Sequence, residues 1–79
     1  MKLIFDIETD DLDATRVWCI IAKELDGKVY KFGPNQIEEG INLLQNATEL
    51  IGHNIIGFDL PVLQRLHNFK YTGKVVDTL

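Results

Sequence analysis

The chain has 79 residues, 46% of them apolar, and carries 8 basic against 12 acidic residues for a net charge of -4. That length allows at most one small domain, and the apolar content is that of a globular chain rather than a disordered one. The acidic balance argues against a basic, sequence-tolerant nucleic-acid clamp, which relies on Lys and Arg to neutralise phosphates, but leaves room for an enzyme that meets nucleic acid through metal ions.

The one cysteine, Cys19, lies in an apolar run and has no internal disulfide partner, so a reducing, cytoplasmic setting is expected. The sequence shows no basic-then-apolar leader and no run of about 18 apolar residues. Neither secretion nor a membrane span is therefore expected.

The chain opens with Leu3-Ile4-Phe5 and runs straight into Asp6-Ile7-Glu8-Thr9-Asp10. The uninterrupted apolar lead reads as a strand buried on both faces in the middle of a sheet. Strand alternation places Asp6 and Glu8 on one side, with Cα atoms roughly 6.5 to 7 Å apart. Carboxylates that close repel unless a cation sits between them, and hard oxygen ligands on a rigid strand suit Mg²⁺ or Mn²⁺. The plainer alternative is a strand running out into an acidic loop, with Asp10, Asp11 and Asp13 as solvated charge.

Residues 16–24 (RVWCIIAKE) are apolar on both alternating sets and predict a second buried strand. Asp26-Gly27 supplies the chemistry of a two-residue hairpin turn, after which residues 28–32 return as a half-polar edge strand. Gly33-Pro34 then breaks the strand, and Asn35 with Glu38 resembles a capping box. The helix that follows lines up Ile37, Ile41 and Leu44, tolerates Gly40 at a cost of roughly 1 kcal/mol relative to Ala, and ends at Asn46. Residues 49–52 predict a fourth short strand. Beyond it lies a second unusual stretch, residues 53–61 (HNIIGFDLP). Helix resumes near Leu60, where Pro61 is tolerated in a first turn, with Leu60, Leu63 and Leu66 or Phe69 facing inward. Asp59 occupies the position of an N-cap, a role worth about 1 kcal/mol. Residues 73–76 predict a fifth strand, and Asp77-Thr78-Leu79 reads as the start of another helix.

Three meandering strands followed by helix, strand, helix, strand predict an α/β fold. Its mixed five-stranded sheet has the order 3-2-1-4-5 with the second strand antiparallel. Right-handed crossovers travelling the same way put both helices on one face and leave the other bare. Because the fourth strand neighbours the first, Asp59 could approach Asp6 and Glu8.

Asp6-Ile7-Glu8-Thr9, followed about fifty residues later by His53-Asn54, Phe58-Asp59, Pro61 and Leu63, resembles the proofreading 3′–5′ exonucleases of the DEDD superfamily. The His-Asn form is most similar to phage-type family A DNA polymerases, and the resemblance extends to Val76-Asp77-Thr78-Leu79. It implies a ribonuclease H-like fold and removal of nucleotides from a single-stranded DNA 3′ end with two Mg²⁺ or Mn²⁺ ions. Asp6 would bridge both metals, Glu8 would hold the nucleophile-side metal, and Asp59 would orient the second through water. The implied substrate-binding set is Ile7, Thr9, His53, Asn54 and Phe58, with Asn54 and Phe58 shaping the terminal nucleotide's pocket. The superfamily's fourth carboxylate follows a Tyr or His on a later helix, and nothing here matches it. Asp77 is not that ligand, and His67 has no downstream Asp at the right spacing.

The expectation is therefore a single, incomplete exonuclease domain over residues 1–79, lacking its C-terminal helices and weak or inactive alone. It would be completed in cis or trans by the rest of a DNA polymerase in a bacterial or phage-infected cytoplasm, and prone to self-association through its bare sheet face. Two other functions remain open: an inactive protein-interaction module, and a free-standing DEDD nuclease acting on RNA or oligonucleotides.

Overall fold

In the computed structural model, which describes residues 1–79, the alternation of Leu3, Phe5 and Ile7 with polar neighbours builds the central strand β1 (Lys2–Thr9). β2 (Val17–Glu24) and β3 (Val29–Phe32) follow as an antiparallel meander. Helix α1 (Ile37–Gln45) crosses back to β4 (Glu49–Gly52), which lies parallel to β1. A π-helical turn (Ile55–Asp59) runs directly into α2 (Leu60–His67), and β5 (Lys74–Asp77) pairs parallel to β4. The sheet order is β3-β2-β1-β4-β5, as the sequence predicts.

The core lies on one face of the sheet only. Leu3, Phe5, Ile7, Ile20, Ala22 and Leu50 meet Ile37, Ile41 and Leu44 of α1 and Val62 and Leu63 of α2 in a single buried cluster. This corrects the expectation that β1 and β2 are buried on both faces. Ile4 is 41% exposed and Trp18 42% exposed, while Cys19 and Ile21 are only half-buried. No element crosses that second face, so the apolar alternates of each strand remain open. α1 is pressed hard onto the sheet. A Cβ at Gly40 would lie 3.0 Å from both the Ile20 side chain and the Phe32 ring, so the glycine exchanges helix propensity for close approach.

Three local expectations change. The connection between β2 and β3 spans the four residues Leu25, Asp26, Gly27 and Lys28 rather than two. The Gly27 amide donates to the Glu24 carbonyl at 2.9 Å, and Gly27 has φ 104°. A turn built on this glycine in the left-handed region restores the strand twist. No capping box forms at α1. The residue at its N-cap is Gln36, and the Gln36 Oε1 instead accepts from the Gly33 amide at 3.3 Å. Glu38, freed from capping, pairs with His67 Nδ1 at 3.0 Å and ties α1 to the end of α2. The inward face of α2 is carried by Val62 and Leu63, with Leu60 and Leu66 half-buried, and Phe69 is buried beyond the helix end. No helix is long and apolar enough to cross a membrane.

Candidate active site

β1 is longer than its parallel neighbour. β4 pairs only with Lys2, Leu3 and Ile4 of β1 and then turns away. Beyond Ile4 the β4-facing edge of β1 therefore needs other partners for its backbone. One arrives from 52 residues away: Asp59 Oδ2 accepts a hydrogen bond from the Ile7 amide at 3.1 Å.

That bond decides what Asp59 is. Its backbone is helical (φ -58°, ψ -50°) and its side chain makes no cap bond to α2, so the N-cap expectation fails. A residue inside a continuous helical path cannot turn its carboxylate back onto the first-turn amides. Asp59 is instead 4% exposed and fastened to β1 between Asp6 and Glu8. Burial pushes its carboxyl up from 3.8 to about 6, against the opposing effect of the Ile7 hydrogen bond and with a further push from the charge on Asp6. The two carboxylates are thus electrostatically coupled.

Asp6 and Glu8 both project from the open face of β1, exposed. Opposite them on β2 stand Ile21 and Cys19, and a register shift between Glu8 and Thr9 makes Trp18 the extra residue of a bulge. The Arg16 guanidinium lies 4.2 Å above the Trp18 ring. Nowhere do three or more His, Cys, Asp or Glu side chains meet closely enough to hold one ion together. The exposed carboxylates of Asp6 and Glu8 on one face of β1 are the hard-oxygen donors that would fit a divalent cation together with water.

The remaining candidates fall into two groups. The Ile7 side chain is buried in the core, so only its backbone faces the site. Thr9 donates its hydroxyl to the Asp11 carbonyl at 2.8 Å and is occupied in the acidic loop. His53 is exposed, and Asn54, half-buried, has φ 56° in the left-handed region. Phe58 packs half-buried against the core, and its amide donates to the Asn54 carbonyl at 3.0 Å. The Asn54 carboxamide lies over Gly57, where a Cβ would come within 2.5 Å of Asn54 Oδ1. The turn thus seats Asp59 beside β1 and is tied at Asn54 to Asp77 of β5, while Thr9 is drawn off toward Asp11.

Two acids do work that residue type alone conceals. Asp10 is no idle loop charge. It accepts from the Thr15 hydroxyl and from the Thr15 and Arg16 amides, both at 3.0 Å. Those bonds hold its carboxyl down at about 2 and close the loop that joins β1 to β2. Asp77 accepts from the amides of Asn54 at 2.8 Å and Ile56 at 2.9 Å. The signal for it was topological: parallel pairing puts the end of β5 beside the loop that leaves β4.

Neither the protein-family profiles nor the curated proteins give a match to this sequence. Among solved structures, the family B DNA polymerase from the hyperthermophilic archaeon Pyrobaculum calidifontis is similar, with a TM-score of 0.70 and 22% identity over 85% of this chain. The chain spans 11% of that polymerase's length. At this identity the likeness is one of fold: the five-stranded mixed sheet and its two helices form an α/β unit, compatible with the ribonuclease H-like type, that recurs within a DNA polymerase.

Proposed function

We propose that the chain is part of a proofreading 3′–5′ exonuclease domain of a DNA polymerase, acting on the 3′ end of single-stranded DNA in the cytoplasm of a bacterial or phage-infected cell. The observation that carries this reading is the bond from the Ile7 amide to Asp59, which brings the second motif's acid onto the strand between the first motif's two acids. A fold shared with part of a polymerase supports it. The phage family A character rests on the His53-Asn54 sequence form alone.

Asp6 and Glu8 would hold Mg²⁺ or Mn²⁺, with Asp59 acting through water. Bound divalent ions supply Lewis-acid activation of the attacking water and stabilise the departing 3′ oxygen, two ions in the complete domain. The residues of the chain do the rest. β1 fixes Asp6 and Glu8 on one rigid face, and the π-helical turn presents Asn54 and Phe58 to the terminal nucleotide. Asp59 adds negative charge in a buried position, which strengthens the pull on a cation at Asp6. The open sheet face, with Ile4, Ile21, Ile51 and Val76, is where the remainder of a polymerase would pack, in cis or in trans.

The test is a titration of Mn²⁺ or Mg²⁺ with a 5′-labelled single-stranded oligonucleotide, DNA against RNA, scored for binding and for end trimming. Metal-dependent binding of the DNA 3′ end is expected, with trimming weak in this chain by itself and restored by the rest of the polymerase. Binding that ignores the metal, or shortening from the 5′ end, contradicts the reading.

A further inference from the structure

The segment between β4 and α2 makes an abrupt turn with little of its own to hold it. Asn54 sits at φ 56°, a conformation that costs a non-glycine residue free energy unless its surroundings enforce it. The π-helical turn that follows has no side-chain cap. The support comes from across the sheet. Asp77 Oδ1 accepts from the Asn54 amide at 2.8 Å and Asp77 Oδ2 from the Ile56 amide at 2.9 Å. The next residue, Thr78, donates its amide to the Gly52 carbonyl at 2.9 Å and its hydroxyl to the same oxygen at 3.4 Å. One dipeptide at the end of β5 therefore holds the backbone on both sides of His53, with Asp77 Oδ1 serving the amides of Asn54 and Leu79, the latter at 2.9 Å, and Oδ2 serving that of Ile56.

We propose that Asp77 is a positioning residue for the carboxylate site. By clamping the amides of Asn54 and Ile56 it fixes the turn whose far end carries Asp59 to the Ile7 amide, and so sets where Asn54, Phe58 and Asp59 stand relative to Asp6 and Glu8. It touches neither metal nor substrate. The role deepens the exonuclease reading and rests on it for the word site, but the clamp itself is a property of the fold. Its carboxyl is held low by the amides of Leu79, Ile56 and Asn54, in keeping with a charged acceptor whose oxygens are fully engaged. Gly52 agrees with this arrangement. A Cβ there would collide with the Ile55 side chain and lie 2.8 Å from the Phe5 carbonyl oxygen, so the turn is folded tightly against β1.

The experiment compares the 79-residue chain with Asp77→Ala and Asp77→Asn by three readouts: amide hydrogen exchange at Asn54, Ile56 and Ile7, Mn²⁺ affinity, and affinity for deoxythymidine 5′-monophosphate in the presence of Mn²⁺. Asp77→Ala should lose protection at all three amides and bind the mononucleotide about 10-fold or more weakly, as supporting residues around a site typically do, while Mn²⁺ affinity changes less than 3-fold. Asp77→Asn keeps one acceptor oxygen. It should retain the Asn54 or the Ile56 bond, protect Ile7 partly, and fall between the other two in nucleotide affinity, which a loss of stability alone would not arrange. Unchanged Ile7 protection in Asp77→Ala, or nucleotide affinity equal to the parent's once Asn54 and Ile56 are unprotected, overturns the proposal. If the parent binds no mononucleotide, the exonuclease reading fails instead, and the Ile7 exchange alone decides whether Asp77 positions Asp59.

Discussion

At the scale of single residues the account turns on Asp59, a carboxylate buried beside another one. Its folded pKa of about 6 stands above the unfolded value of 3.8. The folded protein thus keeps the proton more tightly than the unfolded chain does, and stability falls as pH rises from about 4 through about 6. Above that window the penalty is on the order of 2 kcal/mol. Asp59→Asn keeps an oxygen for the Ile7 amide and removes the charge. It should therefore raise the melting temperature at pH 8 and leave it unchanged at pH 3.5, and a variant no more stable at pH 8 would show that the buried charge is not costly. Asp6→Ala removes a repelling neighbour. The same pH scan should show its stability loss reduced and its midpoint shifted toward 4, with no drop in stability at pH 7.

At the scale of elements, two glycines separate close packing from chain flexibility. At Gly40 the neighbours 3.0 Å away are a side-chain methyl and an aromatic ring, which can give, and alanine recovers roughly 1 kcal/mol of helix propensity. At Gly52 one obstacle is the Phe5 carbonyl oxygen at 2.8 Å, part of β1 itself. Gly52→Ala should cost about 1 to 3 kcal/mol by overpacking, and Gly40→Ala less than that. Urea melts that rank the two the other way would contradict the tight seating of the turn on β1. The elements were largely legible beforehand, because alternation of period two and apolar residues at helical spacing report one buried face each. The open second face of β1 and β2 was not, since Ile4 and Ile21 look the same in sequence whether covered or open. The approach of Asp59 to Asp6 and Glu8 could be expected from the strand order, but its bond to the Ile7 amide was hidden. A cap and a tertiary acceptor use the same residue type, and the choice between them depends on where β4 stops pairing with β1, a matter of register. Asp6 and Glu8 could be read directly because a strand fixes its own alternation.

At the scale of the molecule, one face of the sheet is packed and the other carries Ile4, Ile21, Ile51 and Val76 among charged neighbours, with exposed Trp18 at its edge. An open apolar face of this kind favours association. Sedimentation should show self-association of the 79-residue chain that weakens in Ile4→Lys, whereas a parent that stays monomeric at high concentration would mean that the charged rim suffices to keep it apart. The central claim, that the two acids on β1 form a divalent-cation site, is tested most directly by calorimetric titration of Mn²⁺ into the parent chain and into Asp6→Ala at pH 7.5. Saturable binding by the parent and at least about 10-fold weaker binding by Asp6→Ala is the expected result. Equal affinity in the two proteins would contradict it.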